Sequence, residues 1–169
     1  MLSAMNVGPN LSNESATTVE HSSERGDPSR PLVLSDVLRR EIVTHLQAWI
    51  PNEGCGLLAS VPHGDVDRAV HFFPGTNIDR SPVRYTMDPV EVIGAMRRMR
   101  DEAWTLASIV HSHPRTPPLP SRTDLREAYY PDARLIIVSF AMPVPELRCW
   151  RLSSDAEAPG FVESQLLSG

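Results

Sequence analysis

"LASIVHSHPRTPPLPSRTDLREAYY", residues 106–130, holds a strand, a stiff loop and a helix start in succession. The apolar run 106–110 passes directly into His111 and His113, so the pattern predicts a strand over 106–113. Residues two apart on a strand point to one face, which sets the two imidazoles side by side and turns Ser112 away. Pro114 breaks the strand. Prolines at 114, 117, 118 and 120 restrict the loop even in the unfolded chain. "SRTDLREAYY", 121–130, then reads as a short helix with Ser121 as N-cap and Asp124 at its third position.

Upstream, "SDVLRREIVTHLQAWI", 35–50, repeats Leu38, Ile42, Leu46 and Trp49 at helical spacing, with Ser35 to start it and Pro51 to stop it. "GCGLLASV", 54–61, and "RAVHFFP", 68–74, read as strands joined by the turn "HGDVD". An irregular connection, 75–87, follows. Asp88, Pro89 and Glu91 announce a second helix, with Glu91 expected to reach back to the cap. Ile93, Met96 and Arg100 share one side of it, and it should run to about Trp104. Downstream, "ARLIIVSF", 133–140, and "ELRCWRL", 146–152, read as strands, and "FVESQLL", 161–167, as one edge strand. The order implies an α/β fold, a mixed β-sheet flanked by helices.

The chain has 169 residues, the size of one domain with a tail. Residues 1–30 are polar and nearly free of large apolar side chains, which predicts a disordered N-terminal tail ahead of a folded domain at 31–169. That tail has no basic start and no apolar core, so it does not read as a secretory signal, and Met5 is an alternative start. No run approaches ~20 apolar residues, so no membrane span is expected. A net charge of −5 argues against a nucleic-acid partner. Two cysteines cannot build a disulfide framework, and a reducing cytoplasm is the expected home. All 16 basic residues are arginine, which leaves no lysine side chain for isopeptide tagging.

Two neutral imidazoles and a carboxylate make a suitable facial set for Zn²⁺, and three protein ligands leave a fourth position for water, as in catalytic sites. Each half of the pattern also has a plain structural reading. His-x-His pairs are commonly packed or solvent-facing, and Ser-x-x-Asp is a helix cap that needs no metal. Together, His-x-His-x7-Ser-x-x-Asp would arise by chance from this composition roughly once in a thousand such chains.

The run resembles the signature of the JAMM (MPN+) zinc metallopeptidases, and "NEGCGLL", with Glu53, resembles that family's glutamate-bearing strand. "RYTMDPVEVIGAMRRMRDE" and "AYYPDARLIIVS" are similar to its bacterial and archaeal members, and the likeness covers about 32–167. It implies the MPN/JAMM architecture, similar to that of cytidine deaminases, with His111, His113 and Asp124 as zinc ligands. Glu53 would take a proton from the water at the ion and pass it to the leaving amine, and Ser121 would donate to the oxyanion. Zinc lowers the pKa of its water toward ~7, and a nearby carboxylate can shuttle the proton.

The resemblance further implies an isopeptidase acting after the C-terminal Gly-Gly of ubiquitin-like or sulfur-carrier β-grasp proteins. The short segments between the second strand and second helix, and at the C-terminus, point to the prokaryotic branch. An extended Gly-Gly tail could pair with a strand beside the site. A non-catalytic MPN scaffold is the alternative. A zinc deaminase lacks support, because His-x-Glu and Pro-Cys-x-x-Cys are absent. Oligomeric state is not legible.

Other residues have simpler readings. Cys55 and Cys149 read as buried packing thiols. His21, His45, His63 and His71 read as tail, helix-surface, turn and strand residues, and Met96 and Met99 as packing. Asn77, Arg84 and Tyr85 resemble a family stretch that borders the cleft and could shape substrate binding.

Overall fold

The computed structural model describes residues 27–155 and 157–169. Met5, His21 and the expected tail as far as residue 26 lie outside that span. In chain order the elements are β1 (Leu32–Leu34), α1 (Asp36–Gln47), β2 (Cys55–His63), β3 (Val66–Gly75), α2 (Pro89–Asp101), β4 (Thr105–His113), α3 (Arg122–Arg126), β5 (Arg134–Ser139), β6 (Glu146–Leu152), β7 (Phe161–Glu163) and β8 (Leu166–Ser168). The strands form one sheet in the order β7-β6-β5-β4-β2-β3-β1-β8. It is mixed: β4 pairs parallel with β5, and β1 with both β3 and β8, while the other pairs are antiparallel.

That strand order dictates a curled sheet. Its two edge strands, β7 and β8, are separated in sequence only by Ser164 and Gln165. A flat sheet of this size would hold its edges roughly 33 Å apart, whereas three Cα steps reach only about 11 Å. The edges must therefore curl toward each other. The Ser164 N–H donates to the Cys149 carbonyl on β6 at 2.8 Å, and the Leu32 N–H on β1 donates to the Gln165 carbonyl at 3.0 Å. The single strand expected over 161–167 is thus two short strands, one on each edge.

Alternation along β2 sorts the core into two faces. Leu58 joins Leu32, Leu34, Ile42, Leu46, Phe72, Val110, Ile136 and Val138 beneath α1. Leu57 and Ala59 face the other way and pack with Ala95 and Met99 of α2. The expected packing roles hold for both thiols, since Cys55 and Cys149 are buried and free, and for Met96 and Met99.

Several local expectations need correction. The first helix ends at Gln47 rather than near Ile50. His45 does not lie on the helix surface; its Nε2 stands 3.1 Å from the Cys55 carbonyl and 3.2 Å from that of Gly75, and its ring meets Phe72 edge-on. Asp88 caps α2 by accepting from the Val90 N–H at 2.8 Å. Glu91 does not close a reciprocal cap, because Thr76 takes both its oxygens, the backbone N–H at 2.7 Å and the hydroxyl at 2.8 Å. Ile93 is 52% exposed; the inward stripe is Val92, Ala95, Met96 and Met99. The helix ends at Asp101, where Ala103 takes a positive φ of 54° and the Trp104 N–H reaches the Met99 carbonyl at 2.7 Å.

The base of the sheet carries an ion pair that the sequence did not announce. Arg134, 1% exposed, donates to Asp67 at 2.8 Å and to the carbonyls of Asp27 at 2.9 Å and Arg30 at 2.7 Å. Arg30 itself donates to the carbonyls of Gly64 and Val66. Residues 27–30, assigned by composition to the tail, are therefore bonded into the domain.

Candidate metal centre

β4 lies between β2 and β5, and it ends at the site. On its α2-facing side Ile109, His111 and His113 follow one another, as the two-residue period requires. Ser112 points away and has structural work: its Oγ accepts the Gly54 N–H at 2.8 Å, and its N–H donates to the Gly54 carbonyl at 3.0 Å. Those bonds fix the start of β2 beside the end of β4. Glu53, one residue earlier, is held by its backbone on both sides. Its N–H donates to the Ser81 carbonyl at 2.8 Å, and its carbonyl accepts from Asn77 Nδ2 at 2.9 Å.

The proline loop answers a supply problem. Proline offers a carbonyl but no N–H. Three successive loop carbonyls are accordingly anchored by side chains: Thr116 by the Ser139 hydroxyl at 2.7 Å, Pro117 by His113 Nδ1–H at 2.8 Å, and Pro118 by Trp150 Nε1–H at 3.0 Å. The loop delivers α3, and Ser121 and Asp124 form a complete capping box. Asp124 N–H donates to Ser121 Oγ at 3.1 Å, and Ser121 N–H donates to Asp124 Oδ2 at 2.6 Å. The helix is shorter than expected, ending at Arg126.

The cap does not use up the Asp124 carboxylate. Asp124 spends Oδ2 on the cap and aims Oδ1 at His111 Nε2, 3.4 Å away. His111 Nε2 and His113 Nε2 are 3.2 Å apart. One ligand atom each from His111, His113 and Asp124 lies within 4.8 Å of the other two. The Pro117 bond fixes the His113 proton on Nδ1 and leaves its Nε2 lone pair facing the group. Burial holds the His111 pKa below its ordinary value, against the pull of the Asp124 carboxylate, so His111 is neutral at pH 7. Tyr85 stacks on its ring at 4.7 Å, and His111 Nδ1 is buried without a hydrogen-bond partner. Acceptor atoms that face one another this closely repel unless a proton or a cation lies among them. A tetrahedral ion with bonds of about 2.0–2.1 Å sets its ligand atoms about 3.3–3.4 Å apart. The His111–His113 and His111–Asp124 spacings of 3.2 and 3.4 Å match, and all three atoms lie within 4.8 Å of one another, so these residues fit a divalent metal.

Glu53, His113, Ser121 and Asp124 line one cleft of about 450 Å³. Glu53 is 6% exposed; burial pushes its carboxyl up to about 8, with a smaller push from the Asp124 charge. Arg84 and Tyr85 also border the cleft. Arg84 reaches Glu127 on the opposite wall at 3.9 Å. Asn77 does not reach the cleft. It is fully buried, donates to the carbonyls of Glu53 and Arg84, and accepts the N–H groups of Asp79 and Thr86, all at 2.9–3.1 Å. It ties the Glu53 backbone to the loop that carries Tyr85. Sequence reasoning missed the anchors Ser139 and Trp150, since nothing in their local pattern marks them as partners of a loop more than twenty residues away.

The family described as prokaryotic homologs of the JAB domain matches residues 35–153. The chain belongs to that family. The JAB match spans the whole constellation from Glu53 to Asp124. The chain is 39% identical over 126 residues to a CysO-cysteine peptidase of Mycobacterium tuberculosis, covering 74% of this chain and 85% of that one. It is 32% identical over 116 residues to a desampylase of Haloferax volcanii, covering 66% and 82%. A solution structure of a Desulfitobacterium hafniense protein superposes with a TM-score of 0.72 at 32% identity, covering 82% of this chain and 92% of that one.

Proposed function

We propose that this JAB-family chain is a zinc-dependent peptidase that hydrolyses the amide or isopeptide bond after the C-terminal Gly-Gly of a small ubiquitin-like or sulfur-carrier β-grasp protein. The observation that carries the reading is the convergence of His111 Nε2, His113 Nε2 and Asp124 Oδ1, with His113, Asp124 and the buried Glu53 lining one cleft. The names of the relatives, a CysO-cysteine peptidase and a desampylase, support the reaction class and the kind of partner. An all-nitrogen-and-oxygen donor set of this size favours zinc over thiolate-rich structural sites.

His111, His113 and Asp124 would hold the ion, which supplies an acidified water and a positive charge beside the substrate carbonyl. Glu53 accepts the proton that the attack releases and returns it to the leaving amine. Its burial suits that task, because a carboxylate kept from water is a stronger base than one in water. Ser121 Oγ already accepts a bond from the Asp124 N–H. Its own hydroxyl proton stays free to donate to the oxygen that gains charge. The Pro117 carbonyl holds the His113 ring, and Asn77 holds the Glu53 backbone, so neither group must reorganise during reaction.

The cytoplasm is the proposed location. Both thiols are free and buried, and no described helix is long and apolar enough to cross a membrane. A non-catalytic scaffold would have no use for the converged ligand set.

The test is incubation of the zinc-loaded protein with β-grasp proteins of its host extended beyond Gly-Gly, read by mass spectrometry. Cleavage after the second glycine, stopped by a chelator, is expected. Intact substrates in both conditions would overturn the proposal.

A further inference from the structure

The cleft does not end at the proposed ligands. On the same sheet face, Ile109 lies two residues before His111, about 6.6 Å along the strand. Leu135 pairs beside Ile109, and Leu152 and Phe161 pair with each other on β6 and β7. All four line the cleft. They form an apolar floor that leads away from the His-His-Asp group. The segment between α3 and β5 makes the roof through Ala128 and Tyr130. The small Ala128 leaves the space open. Of the charged residues in the lining, Arg134 is drawn off by Asp67 and the carbonyls of Asp27 and Arg30, and Glu127 stands 3.9 Å from Arg84.

We propose that this chamber is a side-chain subsite, which takes an apolar side chain of the substrate lying within about two residues of the bond that is cut. The inference rests on the peptidase reading. It adds a selectivity that the ligand set alone does not supply. The chamber is continuous with the His-His-Asp group, so an occupant is fixed in register with the scissile bond. Its floor rewards apolar area, and burying a charged side chain there carries a desolvation cost. The apolar group could belong to the acyl side, as the residue before the two glycines, or to the amine side, as the residue released.

Two peptide series separate these sources. One varies X among Leu, Ala and Asp in X-Gly-Gly-amine substrates, and the other varies the same residues in the leaving amine. The zinc-loaded protein should prefer Leu over Ala by about 10–200-fold in kcat/KM in one series, and Asp should be worst there. Ala128→Leu fills the chamber and should bring the Leu and Ala substrates together. Leu152→Ala enlarges the far end and should move the preference toward Phe, so the test does not hang on one variant folding. Binding of uncleaved peptides to Glu53→Gln should follow the same order. Cleavage without preference in either series, or a Leu preference that Ala128→Leu leaves intact, overturns the subsite alone. Cleavage of no peptide in either series, with the extended β-grasp proteins also left intact, overturns the peptidase reading and the subsite with it; if those proteins alone are cut, peptide binding to Glu53→Gln without a Leu preference overturns the subsite.

Discussion

Asp124 caps α3 with one oxygen and, in the proposed function, would bind the ion with the other; substitution can separate the two tasks. Oδ2 caps α3 through the Ser121 N–H at 2.6 Å, while Oδ1 faces His111 Nε2 at 3.4 Å. Asp124→Asn keeps a carbonyl oxygen for the cap but removes the charge and one ligand oxygen. Asp124→Ala removes both functions. Loss of a capping side chain costs about 1 kcal/mol, so the metal-free Ala variant should melt about 2–4 °C below wild type. The metal-free Asn variant should stay close to wild type. Zinc should tell the opposite story. Loss of an outer partner of a metal ligand costs ~10–100-fold in affinity, so loss of a ligand should cost at least ~100-fold. At saturating zinc that removes about 2.7 kcal/mol of linked stabilisation, or roughly 5–10 °C of the zinc-induced rise. Thermal melts with and without zinc, beside competitive zinc titrations, measure both quantities. An Asn variant with wild-type zinc affinity would refute the ligand assignment, whatever happens to the cap.

Glu53→Gln should keep stoichiometric zinc by metal analysis while losing about 10²–10⁴ in turnover. In metal-free protein Glu53 is raised from 4.5 to about 8, so the folded state holds a proton that the unfolded state has released. That stability is fully present below pH 4.5 and is lost as pH rises toward 8; the difference in melting temperature between wild type and Glu53→Gln should shift accordingly, and a pH-independent difference would contradict it. Asn77→Ala leaves the Glu53 carbonyl without its buried partner; it should destabilise by about 1–3 kcal/mol in urea titrations and lower kcat more than it changes KM. Arg134→Met takes the 2.8 Å partner from the Asp67 carboxylate, 7% exposed, and leaves it only Arg30 at 3.4 Å; it should cost about 3 kcal/mol in urea titrations, part of it recovered by adding Asp67→Leu.

Much of the site was legible because its chemistry is local. Strand period sets His111 beside His113, and the cap geometry of Ser121 and Asp124 carries the carboxylate to them across a loop that proline had already restricted. The cap reading of Asp124 accounts for Oδ2 and leaves Oδ1 facing His111 for the proposed ligand role. Apart from the helix ends, the misses are long-range. β1 and β8 are three residues each, too short for a period to show, and each is stabilised by parallel neighbours far away in sequence. Glu91 sits where a capping box wants it, but Thr76 outcompetes the helix for both its oxygens. The buried face of α2 runs through Val92, Ala95, Met96 and Met99, so Ala95 rather than Ile93 packs with Leu57 and Ala59 of β2. Arg134 reads as an ordinary strand-start cation until the fold brings Asp67 to it.

Anomalous diffraction at the zinc edge, on crystals of the zinc-loaded protein, addresses the metal directly. One peak within about 2.0–2.2 Å of His111 Nε2, His113 Nε2 and Asp124 Oδ1 is expected. A stoichiometric ion bound elsewhere, with nothing in bonding reach of those three atoms, would contradict the metallopeptidase assignment.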